Sequence, residues 1–319
     1  MGVLDEIRAA CARVMAGARW VRVDPAGLEA LAGELAAAPR TPPVLDAAHH
    51  HLGPPGSTLA YFLTLDAINF GSGWFPFLRK RPGLSGYFTV ATSLKERFDN
   101  QGPFRAAELA ELSAGDCAAL LRQDPATPEV AELMGLFARA LNDLGAFLLQ
   151  GYGGRFEGPL EEAGGSAEAL VGLLARMPLF DDVATWHGQR VPFYKRAQLS
   201  AADLALAFRG RGWGAFRDLE RLTVFADNLV PHVLRCAGVL AYHPDLARRI
   251  DAELPLAAQS DEEIEIRAGA VHAVERLVAL LRARGVPATA QELDYLLWNR
   301  GQRPELKARP RHRARSVFY

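Results

Sequence analysis

The sequence predicts a mainly α protein, a single helical domain over 1–319 with one small extended or β element. Three observations predict this. Apolar residues recur at three- and four-residue steps along most of the chain, the spacing that gathers them on one face of an α-helix. Helix-opening residues stand at the heads of those runs, as with Ser260 before Glu263 and Thr289 before Glu292, where hydroxyl and carboxylate reciprocally satisfy free N–H groups of a first turn. Only GYFTVATSL (86–94) and WHGQRVPFY (186–194) are rich enough in aromatic and β-branched residues to read as extended.

From the start of the chain, 3–17 and 26–37 carry the helical spacing, with Pro25 where a first turn tolerates proline. Pro42-Pro43 and Pro54-Pro55 bracket a loop-like stretch holding His49, His50 and His51. The run STLAYFLTLDAINF (57–70) is almost wholly apolar, as for a helix buried on most sides. Ser113 and Asp116 can cap a short helix, 128–149 reads as a long amphipathic one, and the glycines of 151–154 end it. Further helices are expected near 165–176, 201–208, 215–227, 230–240, 244–254, 260–284 and 289–298. There is no internal repeat, low-complexity segment or flexible linker.

Half of the 319 residues are hydrophobic and 23% are charged, with a net charge of −1. These are values of an ordinary globular protein, with no global basic field for a duplex nucleic acid. A small anion needs only a local basic pocket. Cys11, Cys117 and Cys236 are far apart and show no metal-ligand spacing, which fits buried thiols in a reducing compartment. The first residues lack a basic stretch followed by an uninterrupted apolar one, and no segment approaches the roughly 18 apolar residues of a membrane span. A cytoplasmic protein is the expectation, without a membrane partner.

Four polar clusters stand out against the apolar pattern. Asp66 interrupts a hydrophobic run beside Leu63, Leu65 and Ile68. A carboxylate there is costly unless paired, so it either bonds a neighbouring helix terminus or arginine, or faces a polar pocket. Phe193-Tyr194-Lys195-Arg196-Ala197-Gln198 joins two aromatics to two cations, a surface for stacking and for an anion, or simply an exposed face. In LTVFADNLVP (222–231), Asp227 is expected to end one helix just before the next, as a cap or as a functional carboxylate. In LDYLLW (293–298), Asp294 and Tyr295 lie beside a core stripe and are either solvent-facing or part of a pocket wall. Adjacent histidines in an extended loop point to opposite sides, so at most two of His49, His50 and His51 can share a metal ion. A hydrogen-bonding role toward a ligand suits one neutral imidazole better. No HExxH, P-loop, GxGxxG or GxSxG motif is present.

Together these clusters resemble the queuosine salvage protein family. The resemblance rests on LDAINF (65–70), FYKRAQL (193–199), LTVFADNLVP (222–231), GVLAYHPDL (238–246), EIEIRAGAVHAVE (263–275) and LDYLLWNRGQ (293–302), in that order over about 45–302. Residues 1–40 and the basic tail from Lys307 carry no such motif and are expected to say nothing about the active site. The resemblance implies a fold similar to helix-rich DNA glycosylases, and cleavage of the N-glycosidic bond of queuosine 5'-phosphate to release queuine. It further implies neither redox cofactor nor metal in the chemistry.

On that implication, Asp227 is the catalytic carboxylate that stabilises or attacks the oxocarbenium-like ribose. Asp294, with Tyr295 beside it, accepts the two adjacent donors of the guanine-like edge. Phe225 packs on the base, with Trp298 as a second candidate. His50 or His51 contacts the base or its cyclopentenediol, and Asp66 lies in the same pocket. Lys195, alone or together with Arg196, meets the 5'-phosphate. A monomer acting on a small molecule, with no duplex nucleic acid as partner, is expected. The rival readings are a nucleic-acid base glycosylase and a non-enzymatic tRNA-associated helical protein, for which the basic tail is the supporting feature.

Overall fold

A computed structural model describes residues 2–37 and 43–319. Helix α1 (Val3–Gly17) turns Leu4, Ile7, Cys11 and Val14 inward. Strand β1 (Val21–Val23) leads into α2 (Pro25–Ala37), where Asp24 accepts the Gly27 N–H at 3.0 Å in the first turn. Helix α3 (Pro55–Ala67) is buried continuously from Thr58 to Ala67, as its apolar composition foretold.

The segment 86–94 is not extended; it opens α4 (Gly86–Gln101). Ser85 caps the helix by accepting the Phe88 N–H at 3.2 Å. The hydroxyls of Thr92 and Ser93 donate back to the carbonyls of Phe88 and Thr89 at 2.6 and 2.9 Å, so the hydroxyl residues are satisfied within the helix. Val90, Leu94 and Phe98 continue a buried four-residue rhythm past residue 94. A nine-residue window truncates that rhythm and leaves only composition to judge by.

Then follow α5 (Ala106–Glu111), α6 (Ala114–Leu121) with the expected Ser113–Asp116 capping box, and the long α7 (Pro128–Tyr152), closed by Gly153 at φ 61°. After α8 (Gly158–Ala163) and α9 (Ala167–Leu174), strands β2 (Val183–Trp186) and β3 (Gln189–Pro192) make a two-stranded antiparallel hairpin. His187 and Gly188 take positive φ at its two-residue turn, the geometry that matches the strand twist. Helix α10 (Lys195–Ala207) begins six residues before its expected start.

The helix expected over 215–227 does not form. Apart from a single 3₁₀ turn at Leu219–Arg221, residues 215–229 run irregularly up to α11 (Val230–Cys236). Side chains take up the backbone groups that a helix would pair internally. Gln198 accepts the Thr223 N–H at 2.8 Å, Asp294 accepts the Phe225 N–H at 2.8 Å, and Arg267 donates to the Ala226 carbonyl at 3.0 Å. Helix α11 stops at Cys236, short of the expected 240, because the chain turns at Gly238 (φ 74°) into β4 (Leu240–Tyr242), which pairs antiparallel with β1.

The chain closes with α12 (Pro244–Asp251), α13 (Asp261–Ala283), α14 (Ala290–Gly301) and α15 (Pro304–Lys307). Helix α13 is the central element, packed on α1, α2, α11, α14 and β1. The architecture is therefore mainly α, with two two-stranded sheets among the described residues. Inside it, Arg267 of α13 holds Asp182 bidentately at 2.9 and 2.6 Å, both side chains almost wholly buried. Removing one partner of such a pair leaves an uncompensated buried charge, at about 3–5 kcal/mol. Asp182→Ala is expected to lower the unfolding free energy by about that amount in urea denaturation; a loss under about 1 kcal/mol would show that the fold does not rest on the pair.

Candidate active site

A cavity of about 1080 Å³ opens between α10, α14, the 222–229 segment, the start of α4 and the C-terminal residues. The irregular backbone at 222–229 places Asp227 on its wall. Asp227 Oδ1 accepts the N–H groups of Leu229 and Val230 at 2.7 and 2.9 Å, capping α11. The second carboxyl oxygen has no hydrogen-bond partner among the described residues. One oxygen fixes the side chain, and the other remains for a ligand.

Asp294 lies beside it. It accepts the Phe225 N–H through Oδ1, and burial, then the charge of Asp227, holds its carboxyl well above the usual carboxylate range. An adjacent pair of ligand donors would reverse that balance by binding the charged form. Phe225 itself lines the cavity, and across it Tyr87, Phe88 and Trp298 form an aromatic wall, with ring centroids 6.0 and 6.1 Å from that of Trp298. Trp298 was legible in the sequence. Tyr87 and Phe88 were lost in the strand reading of 86–94.

Of the three histidines, His50 lines the cavity. Its ring nitrogens are engaged at 2.9 Å by the Asp46 carbonyl and the Tyr87 hydroxyl, and burial pushes the imidazole below its ordinary pKa. His51 lies off the cavity lining, bonded to Asp99 at 2.6 Å and Ser57 at 2.8 Å. The Tyr295 hydroxyl accepts the Val44 N–H at 3.0 Å and donates to the Val44 carbonyl, tying the 43–46 segment across the mouth of the cavity.

Asp66 is fully buried behind the cavity wall, in contact with Asp203 and close to Ser200, Asn69 and Lys195. Asp203 does line the cavity. Burial pushes its carboxyl up to about 7, and burial followed by the neighbouring Asp203 drives Asp66 well above its usual range. Two carboxyls held together in a dry site share a proton. Asp203 went unnoticed in the sequence although SAADLALAF shows the signal that exposed Asp66, one carboxylate inside an apolar helical run.

Lys195 lines the cavity among these acids. Its ammonium donates to the Asn69 carbonyl at 3.3 Å; burial lowers its pKa, while Asp227, Asp66 and Asp294 oppose the shift. Arg196 does not reach the cavity. Its guanidinium donates to the carbonyls of Ala67, at the end of α3, and of Leu179, ahead of β2, and lies over Phe70 and Phe180. The alternation of side chains in the first turn of α10 separates the two cations.

The basic tail bears on the site after all. Lys307, Arg311 and Tyr319 line the cavity, with Lys80 from the loop between α3 and α4. Among the described residues, no group of three or more His, Cys, Asp or Glu is placed to hold a metal ion.

Residues 49–319 match the sequence model of the queuosine salvage protein family. The chain belongs to that family. A protein of Sphaerobacter thermophilus named queuosine 5'-phosphate N-glycosylase/hydrolase is 38% identical over 324 residues, covering 100% of this chain and 98% of its own. Proteins of the same name from Mus musculus, 31% identical over 85% of each chain, and Schizosaccharomyces pombe, 28% identical over 82% of this chain and 83% of its own, are also similar.

In this queuosine salvage protein the Asp66–Asp203 pair has a measurable consequence. A folded-state pKa above the unfolded value means that the folded chain keeps a proton which the unfolded chain releases above about pH 4. Stability contributed by the pair is therefore present at low pH and lost as pH rises through about 7. Asp203→Asn fixes a neutral side chain. Its unfolding free energy relative to the unsubstituted protein is expected to rise between pH 5 and pH 8, by on the order of 1–4 kcal/mol. A difference independent of pH would show that the two carboxyls share no proton.

Proposed function

We infer that the chain hydrolyses the N-glycosidic bond of queuosine 5'-phosphate and releases queuine. Family membership over most of the chain supports the reaction, and the disposition of Asp227 supports the site. In the reaction the C1'–N9 bond breaks with its electron pair going to the base, and the oxygen of water bonds to C1'. The base takes up one proton of that water, and the other stays on the oxygen as the new C1' hydroxyl. As the bond breaks, positive charge grows on the ribose, and a fixed carboxylate opposite it stabilises the transition state. Asp227 supplies that carboxylate, either as the opposing charge or as the nucleophile of a glycosyl ester that water then opens.

The leaving 7-deazapurine lacks the N7 that accepts a proton in ordinary purines, so its recognition carries more of the chemistry. Asp294 accepts the N1–H and exocyclic amine of the guanine-like edge, while Phe225 and the Trp298 wall hold the ring plane. His50, with Tyr87, faces the cyclopentenediol side, and Tyr295 keeps the 43–46 segment over the bound base. Lys195 sits among carboxylates that already answer its charge, and there it orients Asp227 and the ribose hydroxyls.

We further propose that the whole chain works as one cytoplasmic, monomeric unit on a small molecule, without duplex nucleic acid. The net charge of −1 and the buried thiols of Cys11 and Cys117 support this, and among the described residues no helix is long and apolar enough to cross a membrane.

Mass spectrometry of purified protein incubated with queuosine 5'-phosphate is expected to show queuine. Asp227→Asn keeps the shape and removes the charge, and is expected to lower kcat by at least about 10²–10³; near-normal turnover in the folded variant would remove Asp227 from the chemistry. Asp294→Ala is expected to weaken queuine binding by about 1–3 kcal/mol for each donor left unpaired, with ribose 5-phosphate binding little changed. Unaltered queuine affinity in calorimetry would return Asp294 to a purely structural role at Phe225.

A further inference from the structure

Lys80, Lys307 and Arg311 stand together on the cavity wall, and none has a hydrogen-bond or ion-pair partner for its side chain among the described residues. The neighbouring tail cations differ: Arg313 pairs with Glu253 at 2.9 Å and Arg315 with Glu132 at 3.2 Å. Burial, then the charges of Arg311, Arg313 and Lys307, holds the Lys80 ammonium below its usual range. Like charges gathered without a counter-ion repel. A bound anion relieves that repulsion.

The cluster is built into the fold. The Gly71 N–H donates to the Tyr319 carbonyl at 3.1 Å, the Leu256 N–H to the Arg313 carbonyl at 2.8 Å, and His232 to the Leu306 carbonyl at 2.9 Å. The tail backbone lies so close to Gly73 that an added Cβ there would stand 2.3 Å from the Ala314 carbonyl. Tail and loop are thereby clasped, and Lys80 of the loop meets Lys307 and Arg311 of the tail. Arg311 is the innermost of the three, within the electrostatic reach of Asp227. A ribose whose C1' addresses Asp227 has its 5' substituent a short way along the same wall.

We propose that Lys80, Lys307 and Arg311 form the subsite for the 5'-phosphate, and that this subsite rather than Lys195 makes the protein select a nucleoside 5'-monophosphate over the nucleoside. The proposal rests on the hydrolase reading of the site. The phosphate is close to a dianion at neutral pH, and three cations on different segments match its three free oxygens better than one lysine already surrounded by acids.

Two measurements test it. The first is hydrolysis of queuosine 5'-phosphate and of queuosine by the unsubstituted protein, Lys80→Gln, Lys307→Gln, Arg311→Gln and Lys195→Gln. The second is calorimetric titration with ribose 5-phosphate and with ribose. Lys80 and Lys307 are exposed, so those two variants are expected to fold. Each of the three rim substitutions is expected to reduce the nucleotide-to-nucleoside ratio of kcat/KM about tenfold or more. Ribose 5-phosphate binding should weaken in parallel and depend steeply on salt, and Lys80→Arg should restore both. If the unsubstituted protein prefers the nucleotide, and the rim variants keep that preference while Lys195→Gln abolishes it, the proposal is overturned. If no queuine is released from the nucleotide at all, the hydrolase reading fails. The titration then decides the anion subsite alone: ribose 5-phosphate binding lost in the rim variants upholds it, and binding indifferent to them overturns it.

Discussion

The guanidinium of Arg267 uses its planar fork to join parts of the chain that are distant in sequence. Two of its nitrogens hold Asp182 just before the β2–β3 hairpin, and Nε holds the Ala226 carbonyl in the 222–229 segment. Asp182 also accepts the Lys195 N–H at 3.0 Å, which sets the start of α10. The Phe193 ring covers the guanidinium at 4.0 Å and Tyr319 approaches at 4.9 Å. Burying such a pair is costly, and it persists where every donor and acceptor is satisfied. Here nearly every bond made to satisfy it also places a part of the cavity: Lys195, the backbone beside Asp227, and the tail.

The cavity that results is electrically graded. Asp66, Asp203 and Asp294 have carboxyls pushed toward the neutral form by burial, reinforced at Asp66 by Asp203 and at Asp294 by Asp227. Lys195 lies among them, and Lys80, Lys307 and Arg311 stand where the tail meets the loop after α3. Asp227 acts electrostatically on both Lys195 and Arg311. Such an arrangement suits a ligand with hydrogen-bond donors at one end and negative charge at the other. Fixed groups in a water-poor site act more strongly than the same groups in solvent, without having to reorganise.

The structural role of Asp227 and the chemical one proposed for it need not compete. Capping α11 through Oδ1 fixes the side chain in one orientation, at a helix terminus where a negative charge is stabilised. Likewise Tyr295 spends its hydroxyl on Val44, and His50 its nitrogens on Asp46 and Tyr87. These bonds hold the walls of the site in place and leave ring faces and edges toward the cavity.

The sequence by itself determined the mainly α class and most helix positions, and it singled out Asp66, Asp227 and Asp294 but not Asp203. Apolar periodicity and capping boxes are local signals, and a carboxylate set in an apolar run, as at Asp66 or Asp294, marks a group that needs partners wherever the chain places it. What it could not determine depended on partners far along the chain. Residues 215–227 have the composition of a helix, yet Gln198, Asp294 and Arg267 draw their backbone groups out of one. Asp66 was expected in the pocket, but Asp203 of α10 stands in front of it. The contiguous Lys195 and Arg196 diverge because a helical turn sends neighbours to different faces. The tail carried no motif, and its tertiary bonds to His232, Leu256 and Gly71 bring Lys307 and Arg311 to the cavity. Local spacing decides which residues share a face of an element; only packing decides which faces meet, and charge acts through that meeting.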